Sequence, residues 1–169
     1  MAKPDPDWQT WYDAHAARLL LYARQWLPER ADAEDAVQAG FVKFWRSRAT
    51  PDAADLPLLF TAVRTAALDL AKSRRRRAGR EQRVAADAAA AWWDGDTLAD
   101  RERAEAVARA IAALPLEQRE PVVLRIWGGL TFAEAARTLG ENINTVAGRY
   151  RAALAKLRHQ LPEACHDPD

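Results

Sequence analysis

Apolar positions along the first half of the chain recur at steps of three and four, the spacing of one helix face. Trp8, Trp11, Tyr12, His15, Leu19, Tyr22 and Trp26 form one broad stripe, predicting a helix from about Asp7 to Leu27 that Pro28 ends. His15 on that stripe reads as a packed residue and not as a ligand. Asp32 is the expected N-cap of a second helix, with Glu34 and Asp35 placed well against its N-terminal dipole. Val37, Phe41 and Phe44 supply its inner face, and Ala33 and Gly40 permit close approach. A loop from Ser47 to Asp55 follows, marked by Thr50-Pro51-Asp52. Asp55 then caps a third helix with Pro57 in its first turn and Leu59, Phe60, Val63, Ala67 and Leu70 inward. Three amphipathic helices with short connections predict a compact helical domain over residues 1–80, with Gly79 as the stop.

Residues 81–100 lack a sustained stripe and read as a flexible linker. Its Trp92-Trp93 pair is costly to expose on both sides and is expected to pack on a domain or a partner. A second domain, 101–169, opens with Ala104, Val107, Ala108, Ile111 and Leu114 on one helix, closed by Pro115. The next runs from Glu117 to Trp127, with Val122, Val123, Ile126 and Trp127 inward, and ends at Gly128-Gly129. Thr131 and Glu134 then have the spacing of a Thr-x-x-Glu capping box ahead of Phe132, Ala135, Ala136 and Leu139. Gly140 allows a left-handed turn, Ile143 is expected to plug the corner, and Asn142 caps a long last helix. The inner stripe of that helix is Val146, Tyr150, Ala153, Leu154, Leu157 and Leu161. Two helices, a tight turn and a long second helix make a helix-turn-helix. The fold class is therefore all-α, in two small helical domains; no β-branched alternation predicts a strand.

Composition changes this picture at few points. The net charge of +1 conceals a basic run: Lys72 to Arg83 holds seven basic residues and one acid, whereas Asp87 to Asp100 holds four acids and no base. That asymmetry indicates a local anionic contact. The outward residues of the last helix suit DNA: Asn144, Thr145, Arg149 and Arg151 project from its N-terminal half, and Lys156 and Arg158 reach backbone further along. The single Cys165 excludes an internal disulfide and suggests a reducing compartment. His159, Cys165 and His166 lack a fourth partner, so no metal is expected, and no cofactor motif is present. With neither an apolar leader nor a run of transmembrane length, the expectation is a cytoplasmic protein without membrane insertion. No phosphate loop, Ser-His-Asp set or perturbed carboxylate pair points to an enzyme.

The same residues resemble a known family. Ala113-Leu114-Pro115-Leu116-Glu117-Gln118-Arg119, Gly129-Leu130-Thr131-Phe132-Ala133-Glu134 and Leu139-Gly140 look like region 4 of extracytoplasmic-function sigma factors. Asn144-Thr145-Val146, Arg149-Tyr150-Arg151 and Leu154-Ala155-Lys156-Leu157-Arg158 continue the match. Asp32-Ala33-Glu34-Asp35-Ala36-Val37-Gln38, with Phe41 and Phe44-Trp45-Arg46, resembles region 2. The likeness covers roughly residues 8–80 and 101–161, in the family's order. It implies a factor that binds core RNA polymerase, through the β′ clamp helices and the β flap, together with promoter DNA, and that an anti-sigma factor restrains.

Carried over by position, Glu34, Asp35, Gln38 and Arg46 would dock on the clamp helices. Arg64, Asp69, Lys72, Arg74, Arg75, Arg76 and Arg77 would meet the upstream edge of the minus-ten element, and the Ser47–Asp55 loop would capture a base flipped from the non-template strand. Asn144, Thr145, Arg149, Arg151, Lys156 and Arg158 would read or grip the minus-thirty-five element. The chain departs from the family pattern at Ala39 (often Glu), at Thr65 after Arg64 (usually Asn) and at Ala147-Gly148 (commonly Lys-Ser), so promoter preference is not inherited. The alternative on sequence alone is a stand-alone helix-turn-helix regulator; the acidic Glu34–Gln38 face, which a simple repressor does not require, separates the two.

Overall fold

The computed structural model describes residues 8–47, 52–78 and 98–161, which form seven α-helices, one 3-10 turn and no strand. These are α1 (Trp8–Ala23), α2 (Arg30–Ser47), the turn Ala53–Asp55, α3 (Leu56–Ala78), α4 (Leu98–Ala112), α5 (Leu116–Ile126), α6 (Phe132–Leu139) and α7 (Ile143–Gln160). Residues 48–51 of the expected flipped-base loop, Trp92-Trp93, Cys165 and His166 lie outside the described residues.

Large aromatic side chains build the first half. Trp11 stacks on Phe44 with ring centroids 5.4 Å apart, while Trp8 and Tyr12 meet Phe41 edge-on at 5.9 and 4.9 Å. Rings in these offset and T-shaped arrangements gain beyond the area they bury. Tyr22 and Phe60 are fully buried and meet edge-on at 5.4 Å. Gly40 explains how tightly α2 and α3 pack: a Cβ there would lie 2.7 Å from the backbone of Val63. Gly40, expected to permit close approach, does so at that crossing.

The boundaries differ from the sequence expectations in instructive ways. The α-helical part of α1 stops at Ala23; the chain then turns, carrying Trp26 and Leu27 into the core ahead of Pro28. Asp32 sits inside the first turn of α2 instead of capping it, because the helix begins at Arg30. Asp55 closes the 3-10 turn that precedes α3, and its carboxylate accepts the backbone N–H of Asp52 at 3.2 Å.

The second half has a small core of its own: Ala110, Ile111, Leu114, Val122, Ala153 and Leu157. Its remaining apolar face does not stand alone. Val123, Leu124, Leu130, Ala135, Ala136 and Val146 belong to one continuous buried cluster with Leu19, Tyr22, Phe60 and the rest of the first half. Helix α5 packs on α1, and α6 packs on α3. The two halves thus share a core, which separate periodicities could not reveal. This double burial also corrects one expectation. Ile126, predicted inward, is 51 % exposed. With Val122 in one core and Val123 and Leu124 in the other, α5 is covered on two sides and Ile126 falls on the face left open.

Candidate nucleic-acid interface

The helix-turn-helix forms from local chemistry. Thr131 Oγ1 accepts the Glu134 N–H at 3.2 Å, and the Glu134 carboxylate accepts the Thr131 N–H at 2.7 Å, closing the capping box. Those bonds to Thr131 hold the Glu134 carboxyl below the usual carboxylate range. Gly140 ends α6 in the left-handed region, φ 66°, with its N–H bonded back to the α6 carbonyls. Asn142 then caps α7, its side-chain oxygen accepting the Asn144 N–H at 2.8 Å. Ile143 does not plug the corner: it is 45 % exposed at the first position of α7, and the fully buried Val146, one turn later, fills that place. Phe132 ties the unit together, edge-on to Tyr150 at 5.3 Å with the Arg125 guanidinium over its ring at 4.5 Å.

Along α7, Asn144, Thr145, Arg151, Lys156 and Arg158 are exposed and share the outward side. Arg149 is only 30 % exposed and pairs with Glu141 at 3.2 Å, so it leans toward the body of the protein. The recognition surface is therefore narrower in this state than the sequence reading drew it.

The expected docking residues Glu34, Asp35, Gln38 and Arg46 are all exposed on α2. Glu34 pairs with Arg30 one turn back, at 2.7 Å. Val42 and Trp45, exposed at 42 and 52 %, add apolar surface beside Arg46. A face that mixes charge with exposed aromatic and aliphatic area is what a protein partner can cover.

The basic end of α3 divides into separate groups. Asp69, Lys72, Arg75, Arg76 and Arg77 are exposed. Arg74 is exposed as well and ion-pairs with Asp32, tying the end of α3 to the start of α2. Arg64 departs furthest from its expected place. Its Nε donates to the Glu120 carboxylate at 2.8 Å and its Nη2 to the second oxygen at 3.4 Å, while the Tyr22 hydroxyl donates to the same carboxylate at 3.0 Å. Glu120 lies on α5, so this cluster joins the two halves. The bond to Glu120 holds the Arg64 guanidinium above its ordinary range, and burial, then the Glu120 charge, pushes the Tyr22 phenol far up. Beside them, burial lowers Arg119, whose Nη1 donates to the Ala112 carbonyl at 3.5 Å.

Tyr22, Arg119 and Glu120 were not picked out as a site by sequence reasoning. One signal was available: Glu120 interrupts the stripe Leu116, Val123, Leu124 at helical spacing, and a carboxylate on an apolar stripe asks for a partner. Nothing in the sequence named that partner. Among the described residues no group of His, Cys, Asp and Glu is placed to hold a metal ion, and no helix is long and apolar enough to cross a membrane.

Comparison with known proteins places this geometry. Residues 11–77 match the family profile Sigma-70 region 2, and residues 104–157 match Sigma-70, region 4. The chain is similar to the ECF RNA polymerase sigma factor SigK of Mycolicibacterium vanbaalenii, 30% identical over 156 residues, covering 89% of this chain and 79% of that one. SigK of Mycobacterium tuberculosis is 29% identical over 157 residues, covering 89% and 83%. Among solved structures, the sigma factor RpoE in complex with the anti-sigma factor NepR, from Bartonella quintana, superposes with a TM-score of 0.72 at 21% identity, over 94% of this chain and 98% of that one. Two matched regions in the family's order, on an all-helical fold ending in a capped helix-turn-helix, show that the chain belongs to the extracytoplasmic-function sigma factors, RNA polymerase subunits of transcription initiation.

Proposed function

We propose that the exposed face of α2 docks on core RNA polymerase, at the β′ clamp helices, while α3 and α7 contact promoter DNA. The observation that carries this reading is one of placement. Glu34, Asp35, Gln38 and Arg46 share one exposed helix, and Asn144, Thr145, Arg151, Lys156 and Arg158 share another. Residues 1–80 and 101–169 act as the two promoter-reading units, with the α7 residues on the minus-thirty-five element and the β flap supporting their half. Asp69, Lys72, Arg75, Arg76 and Arg77 meet phosphates at the upstream edge of the minus-ten element. Arg64, Arg74 and Arg149 join the contact once released from Glu120, Asp32 and Glu141. The Ser47–Asp55 loop holds the flipped non-template base. Flipping costs a few kcal/mol, so polymerase is required to fix both units at promoter spacing and make the second contact intramolecular.

An anti-sigma factor is the proposed inhibitor, by analogy with the RpoE complex. The cytoplasm, where polymerase works, is the proposed location. The chain contributes recognition and strand capture, with no chemical step of its own.

Transcription from genomic fragments by purified core polymerase, with and without the protein, tests the reading. New start sites that require the protein are expected. Asp35→Lys is expected to weaken core binding at least tenfold, a difference of about 1.4 kcal/mol, with helix content unchanged. Unaltered core binding by this variant would remove α2 as the docking face.

A further inference from the structure

We infer that the free protein rests in a closed form latched by Glu120, and that this latch must open before the promoter is bound. The inference rests on the promoter reading proposed above and adds to it a conformational step.

The latch is built from three side chains on three helices. Glu120 of α5 is buried, with only 8 % of its side chain exposed, and receives both Arg64 of α3 and Tyr22 of α1. A carboxylate withdrawn from water is tolerated only with such donors around it. The partners lie 56 and 98 positions away in sequence, so the carboxylate is satisfied only when the halves meet. A second polar contact fixes the neighbouring crossing: the buried Thr138 hydroxyl of α6 donates to the Pro57 carbonyl of α3 at 3.2 Å.

Two consequences set this form against promoter binding. The first is reach. A folded chain of this length has a radius of gyration of about 15 Å. Elements centred near minus ten and minus thirty-five stand about 85 Å apart along B-form DNA, at roughly 3.4 Å per base pair. With α6 packed directly on α3, the two readers cannot bridge that distance. The covalent chain permits an open form, since the 19 positions between Ala78 and Leu98 extend to about 65 Å. The second consequence is chemical. Arg64, an expected DNA contact, is consumed by Glu120, and Arg149 leans into the cleft that both border.

Beside the shared apolar core, the ion pair is the part of the contact that a single charge change can reverse. A buried pair adds little net stability but specifies register, and on opening both ions regain water. Breaking one partner alone leaves an uncompensated charge, so single variants should spring the latch.

The test is small-angle X-ray scattering of the full-length protein at physiological salt. The wild type is expected to be compact. Glu120→Lys and Arg64→Glu should each raise the radius of gyration by about a third or more as the halves separate, with helix content held in circular dichroism. The double exchange, Arg64→Glu with Glu120→Arg, should restore the compact value. Should Glu120→Lys lose helix content, Arg64→Glu carries the test, because the Arg64 side chain, 29 % exposed, is less buried than Glu120. An extended wild type, single variants as compact as the wild type, or a double exchange that stays open would each overturn the latch. In a second arm, Glu120→Gln should speed promoter-complex formation with core polymerase several-fold; an unchanged rate would overturn the requirement for opening. If the wild type directs no polymerase-dependent initiation at all, the promoter reading fails, while the scattering result stands by itself.

Discussion

The first half of the molecule and the helix-turn-helix reach order by different physical routes. In the half built from α1, α2 and α3, order comes from tertiary fit: Trp11 on Phe44, Tyr12 against Phe41, and Gly40 held against the Val63 backbone. In α6 and α7, order comes from short-range chemistry: a reciprocal capping box, a left-handed glycine and an asparagine cap, all within four residues of their partners. A docking surface needs a rigid body behind it, whereas a recognition helix needs its first turn aimed correctly. Each half is stiffened where its proposed contact requires it.

The largest expected effect that would break this contrast is at Gly40. Alanine has the better helix propensity, by about 1 kcal/mol, so an isolated helix would gain. Here the added Cβ meets backbone atoms of Val63 at 2.7 Å, and backbone cannot rotate away. Overpacking of this kind costs about 1–3 kcal/mol, so Gly40→Ala should destabilise by up to about 2 kcal/mol net in chemical denaturation. A gain in stability would mean that α2 and α3 are not locked at that crossing. Gly148, whose Cβ position meets nothing, offers the control: its alanine variant should gain the helix term alone.

The same contrast governs what the sequence made legible. Thr131, Glu134, Gly140 and Asn142 could be assigned roles in advance because each acts on a neighbour a few positions away. The family motifs were legible for the same reason. Gly40 could be flagged as small, but not matched to Val63. Glu120 was harder still, because its meaning depends on Tyr22 and Arg64, which only the closed packing brings to it. Ile126 and Ile143 were misplaced by assuming one buried face per helix; α5 has two, and the first turn of α7 points outward. Apolar periodicity tells that a face is buried, and leaves open against what.

A smaller effect sharpens the second side of the comparison. Thr131→Ala removes the side-chain acceptor for the Glu134 N–H and frees the Glu134 carboxylate from one of its donors. Loss of such a cap costs about 1 kcal/mol. Because the bond is local, amide exchange should quicken at the start of α6 while the α2–α3 amides keep their protection. Equal quickening in both would show that the halves unfold only as one unit, consistent with their joined core but against the local origin argued for the cap.

Acidification should separate the two halves with the smallest effect. His15 lies edge-on to Trp11 at 4.8 Å, its Nδ1 is buried without a hydrogen-bond partner, and its pKa is lowered below 6.5 by burial first and by the Arg18 charge second. A histidine whose folded pKa is depressed favours the fold while neutral. Its contribution is present above 6.5 and is lost as pH falls from there through the folded value. Glu134 is depressed as well, by its bonds to Thr131, but from 4.5, so its contribution persists until pH falls below that value. Between pH 7 and pH 5 the window belongs to His15 alone of these two groups. Amide exchange across α1 should therefore quicken on going from pH 7 to 5, after correction for intrinsic rates, while the start of α6 keeps its protection. His15→Gln should abolish the change in α1. If α6 loosened first, the carboxylate and not the imidazole would be the acid-sensitive group, and the assignment of tertiary order to one half and local order to the other would need reversing.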